Sequence, residues 1–354
     1  MKKTLFFLLF TIQLVSSQTA RKYSNEFLNI GVDAAAFGMG KAVVAESNDV
    51  NSIYWNPAGL TAIKNYEASI MHAEYFAGIA KYDYAAFAMS IDDQSALGIS
   101  IIRFGVDDIV NTTELIDSQG NIDYNRISLF SAADYAFNIA YARKLSVEGL
   151  NIGVNTKIIR RIIGEFATSW GFGIDAGLQY HVKKWNFGVM LRDITTTYNS
   201  WNFDEGEFEK IKAATPDQNQ ELPESTEITL PKVQLGVSRS FSLNKEFNLL
   251  TELDLNFRFV KTNDIIASEN ISIDPAFGFQ VDYLDIVFLR GGIGNIQNEL
   301  QFDNSKEIVF QPNFGIGFNY KGIQIDYALT NIASIGNALY SNVFSIKVNF
   351  DKFR

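Results

Sequence analysis

The sequence predicts an all-β chain: a fourteen-stranded antiparallel transmembrane β-barrel with a short N-terminal segment seated in its lumen. Three observations carry this expectation. The N-terminus has the form of an export signal, and no later apolar run is long enough for a spanning helix. Residue character alternates with period two over segments of about ten residues. The connectors between those segments are tight at one end and long at the other.

Met1 to Ser17 opens with Lys2 and Lys3, continues through an apolar run from Leu5 to Ile12, and exits through small residues, with Val15 and Ser17 before Gln18. That order is a secretory signal peptide, residues 1–17. The whole chain of 354 residues is 47% hydrophobic and 14% aromatic, too apolar for a disordered protein. It contains no cysteine, which excludes disulfide scaffolds, cysteine zinc sites and thiol nucleophiles, and leaves His72 and His181 as the imidazoles. A net charge of −10 repels a nucleic-acid backbone, so no nucleic-acid partner is expected.

Residues 18–65 do not alternate. Phe37 to Ala42, Asn48 to Asn51 and Trp55 to Leu60 are small, glycine-punctuated and rich in capping residues, as expected of short helices joined by turns. A segment that is neither tail nor strand fits the barrel lumen as a hatch, or else extends into the periplasm. Gly38 and Gly40 lack the preceding strand and spacing of a nucleotide-binding loop.

The barrel is expected over residues 66–354, in strands near 67–76, 82–91, 95–104, 133–143, 150–161, 170–181, 185–192, 232–240, 247–259, 272–281, 286–293, 310–320, 323–330 and 341–350. In the clearest segment Trp170, Phe172, Ile174, Ala176, Leu178 and Tyr180 share one face, and Gly171, Gly173, Asp175, Gly177, Gln179 and His181 the other. A soluble sandwich also alternates. Its strands, however, average about five or six residues, whereas nine to eleven match a tilted membrane crossing. Connectors such as Val182 to Lys184 are tight, while 105–131, 193–231 and 294–309 are long, the outer-membrane asymmetry of short periplasmic turns and long external loops. Aromatic residues gather at strand ends: Trp170, Phe257, Phe259 and Phe310 at the outer rim, Tyr141, Tyr180, Trp185, Phe247 and Tyr320 at the inner one. Glycines of the Gly171 and Gly291 to Gly294 stretches are expected to face the lumen and admit another backbone. Asp175, Gln179, Arg192, Glu252, Asp254, Arg258, Asn313 and Asp326 are expected inward, paired with one another or with the hatch.

The Gly38 to Ala42 stretch, the Asn48 and Asp49 pair and the run Tyr54, Trp55, Asn56, Pro57, Ala58, Gly59, Leu60 together resemble the PorV/PorQ group of the FadL-like outer-membrane proteins. The stretches 107–113 and 121–135 are most similar to PorV-like members. The resemblance implies an outer-membrane barrel with an N-terminal hatch carrying Gly38, Gly40, Asn48, Asp49 and Trp55 to Gly59. It further implies work with the type IX secretion system, with translocon or secreted cargo proteins as partners. The alternative it leaves open is a FadL-like transporter, with a hydrophobic ligand or detergent in the lumen. A protein partner would need exposed apolar loop tips, for which Phe76, Ile79, Trp201, Phe203 and Phe208 are the candidates.

No catalytic residue, metal site or cofactor is expected. His72 and His181 fall on strands without a nucleophile signature. The acidic loop holding Asp204, Glu205, Glu207, Glu209, Asp217, Glu221, Glu224 and Glu227 has no calcium-loop spacing and reads as a solvated surface.

Overall fold

Alternation builds a closed wall. The computed structural model describes residues 24–116, 119–214, 221–301, 305–330 and 341–353, so the signal peptide, residues 18–23 and Asp217 lie outside the described residues. The described strands are β1 (Tyr66–Tyr75), β2 (Ala80–Ser90), β3 (Ser95–Asn111), β4 (Ser128–Lys144), β5 (Leu150–Ile163), β6 (Ala167–Val182), β7 (Trp185–Arg192), β8 (Thr197–Phe203) and β9 (Thr226–Thr229). They continue as β10 (Lys232–Ser242), β11 (Phe247–Arg258), β12 (Ile266–Ala267), β13 (Ser272–Tyr283), β14 (Val287–Leu300), β15 (Lys306–Tyr320), β16 (Ile323–Thr330) and β17 (Ser341–Asn349). Fourteen of them form the barrel, and β17 closes it antiparallel on β1 through pairs running from Glu67 with Asn349 to Glu74 with Asn342. Strands β8, β9 and β12 extend the sheet beyond the barrel, β8 on β6 and β12 on β13.

The side-chain period fixes which face meets lipid. On β6, Trp170 and Phe172 are 57% and 50% exposed, while the alternating Gly171 and Gly173 are buried. On β15, Phe310, Phe314, Ile316, Phe318 and Tyr320 repeat the pattern. A closed antiparallel sheet leaves no unpaired edge, and an apolar outer belt satisfies a bilayer with every wall hydrogen bond internal. The inward face carries the polar set: Asp326 binds Arg290 at 2.6 Å, Asp175 binds Lys157 at 2.8 Å, and Asn313 hydrogen-bonds Thr330.

The loops depart from expectation. Residues 105–131 read as one long connector, yet β3 and β4 each run for seventeen residues, about 55 Å at roughly 3.3 Å per residue, well beyond a bilayer. A bulge between Val106 and Ile109, with Asp108 at φ 58°, lets the ladder resume past the acidic pair Asp107 and Asp108. The same occurs between Gly294 and Gln297, with Asn295 at φ 52°, so 294–309 is largely a continuation of β14 and β15. In both places turn-type residues mark a bulge. The 193–231 connector contains β8, β9 and a helix, α3 (Glu205–Ala214).

Candidate functional site

Residues 24–63 fill the lumen as a chain of single turns. A 3-10 turn (Glu26–Asn29) is followed by α1 (Ala34–Gly38), α2 (Ser52–Trp55) and a second 3-10 turn (Pro57–Ala62). Asp33 caps α1, accepting the Ala35 N–H at 3.4 Å, and also accepts the Ser345 hydroxyl at 2.9 Å, tying the cap to the wall. Burial and the neighbouring Asp326 raise its pKa to about 6. Asn56 has extended geometry and its side chain accepts the Ala58 N–H at 3.2 Å, with Pro57 at the first helical position, so the Asn-Pro pair is a capped turn start. The Asn56 amide also donates to the carbonyls of Val44 at 2.9 Å and Leu178 at 3.2 Å.

Three cross-strand glycine pairs receive this segment: Gly153 with Gly177, Gly188 with Gly236, and Gly278 with Gly292. The hatch backbone lies against each notch. A Cβ on Gly177 would sit 2.0 Å from Asn56 Oδ1, and one on Gly278 would sit 2.3 Å from the Met39 carbonyl. Between the last two notches the wall supplies acceptors: Asp254 takes the N–H of Val43 at 2.9 Å and of Val44 at 3.1 Å, and Glu252 takes that of Ala45 at 2.6 Å. Glu46 accepts from Asn186 at 2.5 Å and Ser238 at 2.9 Å, and burial pushes its carboxyl pKa up.

The hatch separates two spaces. Towards the external strand ends lies a vestibule of about 460 Å³, floored by Ile30, Lys41, Tyr54 and Trp55 and walled by residues including Arg192, Lys232 and Asn313. Towards the periplasmic ends lies a cavity of about 500 Å³ bounded by Asp33, Glu46, Asp49, Phe288 and Lys347. Trp55 borders both. Its indole N–H donates to the Val32 carbonyl at 3.0 Å, its ring meets Tyr54 edge-on at 4.8 Å, and the Arg192 guanidinium lies 4.5 Å from the Tyr54 ring centroid. Beside this septum, the hatch residues Phe27, Phe37 and Ile53 pack on an apolar stretch of the wall that includes Tyr75, Tyr82 and Ile102.

The structure brings most of the expected hatch residues together in the lumen. Gly38 packs on Gly315, and Gly40, at φ 66°, lies against the Gly292 and Ile293 backbone. Asp49 accepts the Asn51 N–H at 2.8 Å and pairs with Lys347, while Asn48 is exposed and borders the periplasmic cavity. Ala58 is fully buried, and a Cβ on Gly59 would collide with the Ser47 carbonyl.

The candidate loop tips divide. Phe76 and Ile79, in the β1–β2 turn, are 56% and 64% exposed. Trp201 is not at a tip: it lies buried in β8, stacked on Phe203 with the Arg161 guanidinium over its ring. Phe208 lies on α3 beneath Lys212. Gly291 also differs from expectation, meeting the Phe279 ring on the outer face, whereas Gly292 and Gly294 face the hatch. Sequence reasoning did not single out Lys41, whose placement depends on the left-handed pair Gly40 and Lys41, at φ 66° and 67°.

The fold and its plugged lumen define a bacterial outer-membrane β-barrel of FadL-like architecture. Solved structures of this architecture include the Pseudomonas putida toluene transporter TodX, 11% identical, covering 93% of this chain and 98% of its own, with a TM-score of 0.53. The CymD monoaromatic hydrocarbon channel is 12% identical over 91% of this chain and 98% of its own, with a TM-score of 0.55. A Pseudomonas aeruginosa FadL homologue is 12% identical over 90% and 98%, with a TM-score of 0.51. At these identities the likeness is one of fold. No family model and no curated protein matches the chain.

Proposed function

We propose that the protein is an outer-membrane transporter for small hydrophobic molecules, gated by its hatch and acting without enzymatic chemistry. The observation that carries this reading is the position of Trp55, a single side chain bordering both the external vestibule and the periplasmic cavity. Displacing one short, glycine-seated segment would join the two spaces. The apolar cluster beside it, including Phe27, Phe37, Tyr75 and Tyr82, offers a moving hatch a greasy surface to expose. The solved structures of like fold described as a toluene transporter and a monoaromatic hydrocarbon channel support the same substrate class.

The test uses the absence of native cysteine. The Ala34 N–H lies 3.1 Å from Ser345 Oγ, so Ala34→Cys with Ser345→Cys places two thiols on neighbouring positions of hatch and β17 for oxidative tethering, with closure checked by loss of free-thiol labelling. Labelled toluene should enter cells faster with the reduced variant than without the protein, and oxidation should remove that gain. Equal entry with and without the protein, or with the tether open and closed, would sink the proposal.

A second reading, an adaptor of the type IX secretion system that binds translocon or cargo, rests on the sequence resemblance and on one structural observation. The long β3–β4 arm carries exposed Val110, Ile116, Ile122, Tyr124 and Leu129, with exposed Phe76 and Ile79 on the neighbouring hairpin. Apolar surface of this kind on a projecting arm suits a protein partner. Native extraction with mass spectrometry separates the readings: translocon or cargo proteins in the eluate favour the adaptor, and enriched small hydrophobic molecules without them favour the transporter.

A further inference from the structure

The external vestibule is not lined as a hydrocarbon site. Amide side chains crowd its wall, among them Asn29, Gln234, Asn256, Gln311 and Asn313, and four cations, Lys41, Arg192, Lys232 and Arg258, stand there against Glu26 and Asp274. Two of those cations are engaged. Arg258 pairs with Asp264 at 3.0 Å, and the Lys232 ammonium donates to Asn29 at 3.0 Å. The other two form no ion pair within 4 Å among the described residues, although Asp274 acts on Lys41 and Asp175 on Arg192 from farther off. Lys41 makes no hydrogen bond there through its ammonium, which lies 5.4 Å from the Phe37 ring centroid. Arg192 spends its Nε on Gln234 at 2.6 Å and lays its guanidinium over Tyr54.

Two cations without an ion pair, one on the floor and one in the wall of a half-enclosed space, in a chain of net charge −10, leave room for an anion to complete the arrangement. We propose that the vestibule is a binding site for a soluble hydroxylated organic anion, the chemistry of an acidic saccharide, with its carboxylate held between Lys41 and Arg192 and its hydroxyls on the surrounding amides. A hydrocarbon here would strip water from those amides and return no hydrogen bonds. A neutral sugar would leave the cations unanswered. A simple inorganic anion would leave most of a space of about 460 Å³ unfilled, a volume that suits a ligand of one or a few rings. A ligand in the vestibule sits on the hatch floor, against Tyr54 and Trp55, whether or not it passes through the channel.

The test is a calorimetric titration of the full mature protein in detergent with digalacturonate at low salt, with neutral galactobiose as the comparison. The expected result is saturable binding of the acidic dimer at one site, with galactobiose weaker by about tenfold or more. Lys41→Met combined with Arg192→Gln should weaken the dimer by about 10- to 100-fold, as for losing hydrogen bonds to charged groups. Heat-modifiable migration of that variant would show its barrel intact. Absence of saturable digalacturonate binding, equal affinity for galactobiose, or unchanged affinity in an intact variant would each overturn the proposal. If laurate binds and digalacturonate does not, the proposal falls while the hydrophobic transporter stands.

Discussion

Gly153 and Gly177 stand opposite each other across β5 and β6, and the notch they leave is occupied by Asn56 and Pro57 of the hatch. The wall and the hatch are therefore fitted at backbone distance. A Gly177→Val substitution places carbon where Asn56 Oδ1 already lies, 2.0 Å from the Cβ position, so the hatch must shift. Overpacking of this kind costs about 1–3 kcal/mol. The expected result is a barrel that still migrates in heat-modifiable fashion while residues 24–63 become open to limited proteolysis. A hatch as protected as in the parent would contradict the fit.

The carboxylates of Glu252 and Asp254 hold three successive backbone N–H groups of the hatch, from Val43 to Ala45. Both side chains sit on inward positions of β11, two residues apart, as the period of a strand requires. Replacing both with Ala leaves those donors buried and unmatched, at about 1–3 kcal/mol each. Hydrogen exchange at residues 43–46 should accelerate markedly, with exchange in β11 itself little changed. Unaltered protection at 43–46 would mean that the loop is held by something else.

Trp55 is expected to act as the barrier between vestibule and periplasmic cavity. Trp55→Ala removes the side chain common to both spaces and the 3.0 Å bond to the Val32 carbonyl, at about 3–5 kcal/mol for a buried Trp. In planar bilayers the variant should show ionic conductance well above that of the parent. Equal conductance would place the barrier elsewhere in the hatch.

Much of this was legible in the sequence because a barrel wall obeys one simple rule. Period two assigned Asp175, Gln179, Glu252 and Asp254 to the lumen, and each is buried there. What escaped was set by long-range fit. Whether Gly291 or Gly292 meets the hatch depends on register across β13 and β14, and a one-residue offset reverses the face. Strand ends were hidden where Asp107 and Asp108, or Gly294 and Asn295, supply turn chemistry to a bulge. The Lys41 ammonium reaches the vestibule because the chain turns through two left-handed residues, a conformation that composition does not announce.

Lys41 gives the vestibule a pH dependence of known sign. Burial lowers its pKa to about 8, partly offset by Asp274 and reinforced by Arg258, and Arg192, Lys232 and Glu26 line the same space. An ammonium whose folded pKa lies below its usual value weakens the folded hatch while protonated, and that penalty fades as pH rises from about 8 towards the ordinary lysine range. Anion binding follows the opposite course, since the charge that attracts the ligand is lost over the same interval. Digalacturonate affinity should therefore be nearly level from about pH 6.5 to 7.5 and fall by about tenfold towards pH 9.5, while hydrogen exchange at Gly40 and Lys41, after correction for the intrinsic rate, slows. Lys41→Arg keeps its charge throughout and should flatten the affinity profile. A profile that still falls steeply in that variant would assign the titration to another group in the vestibule.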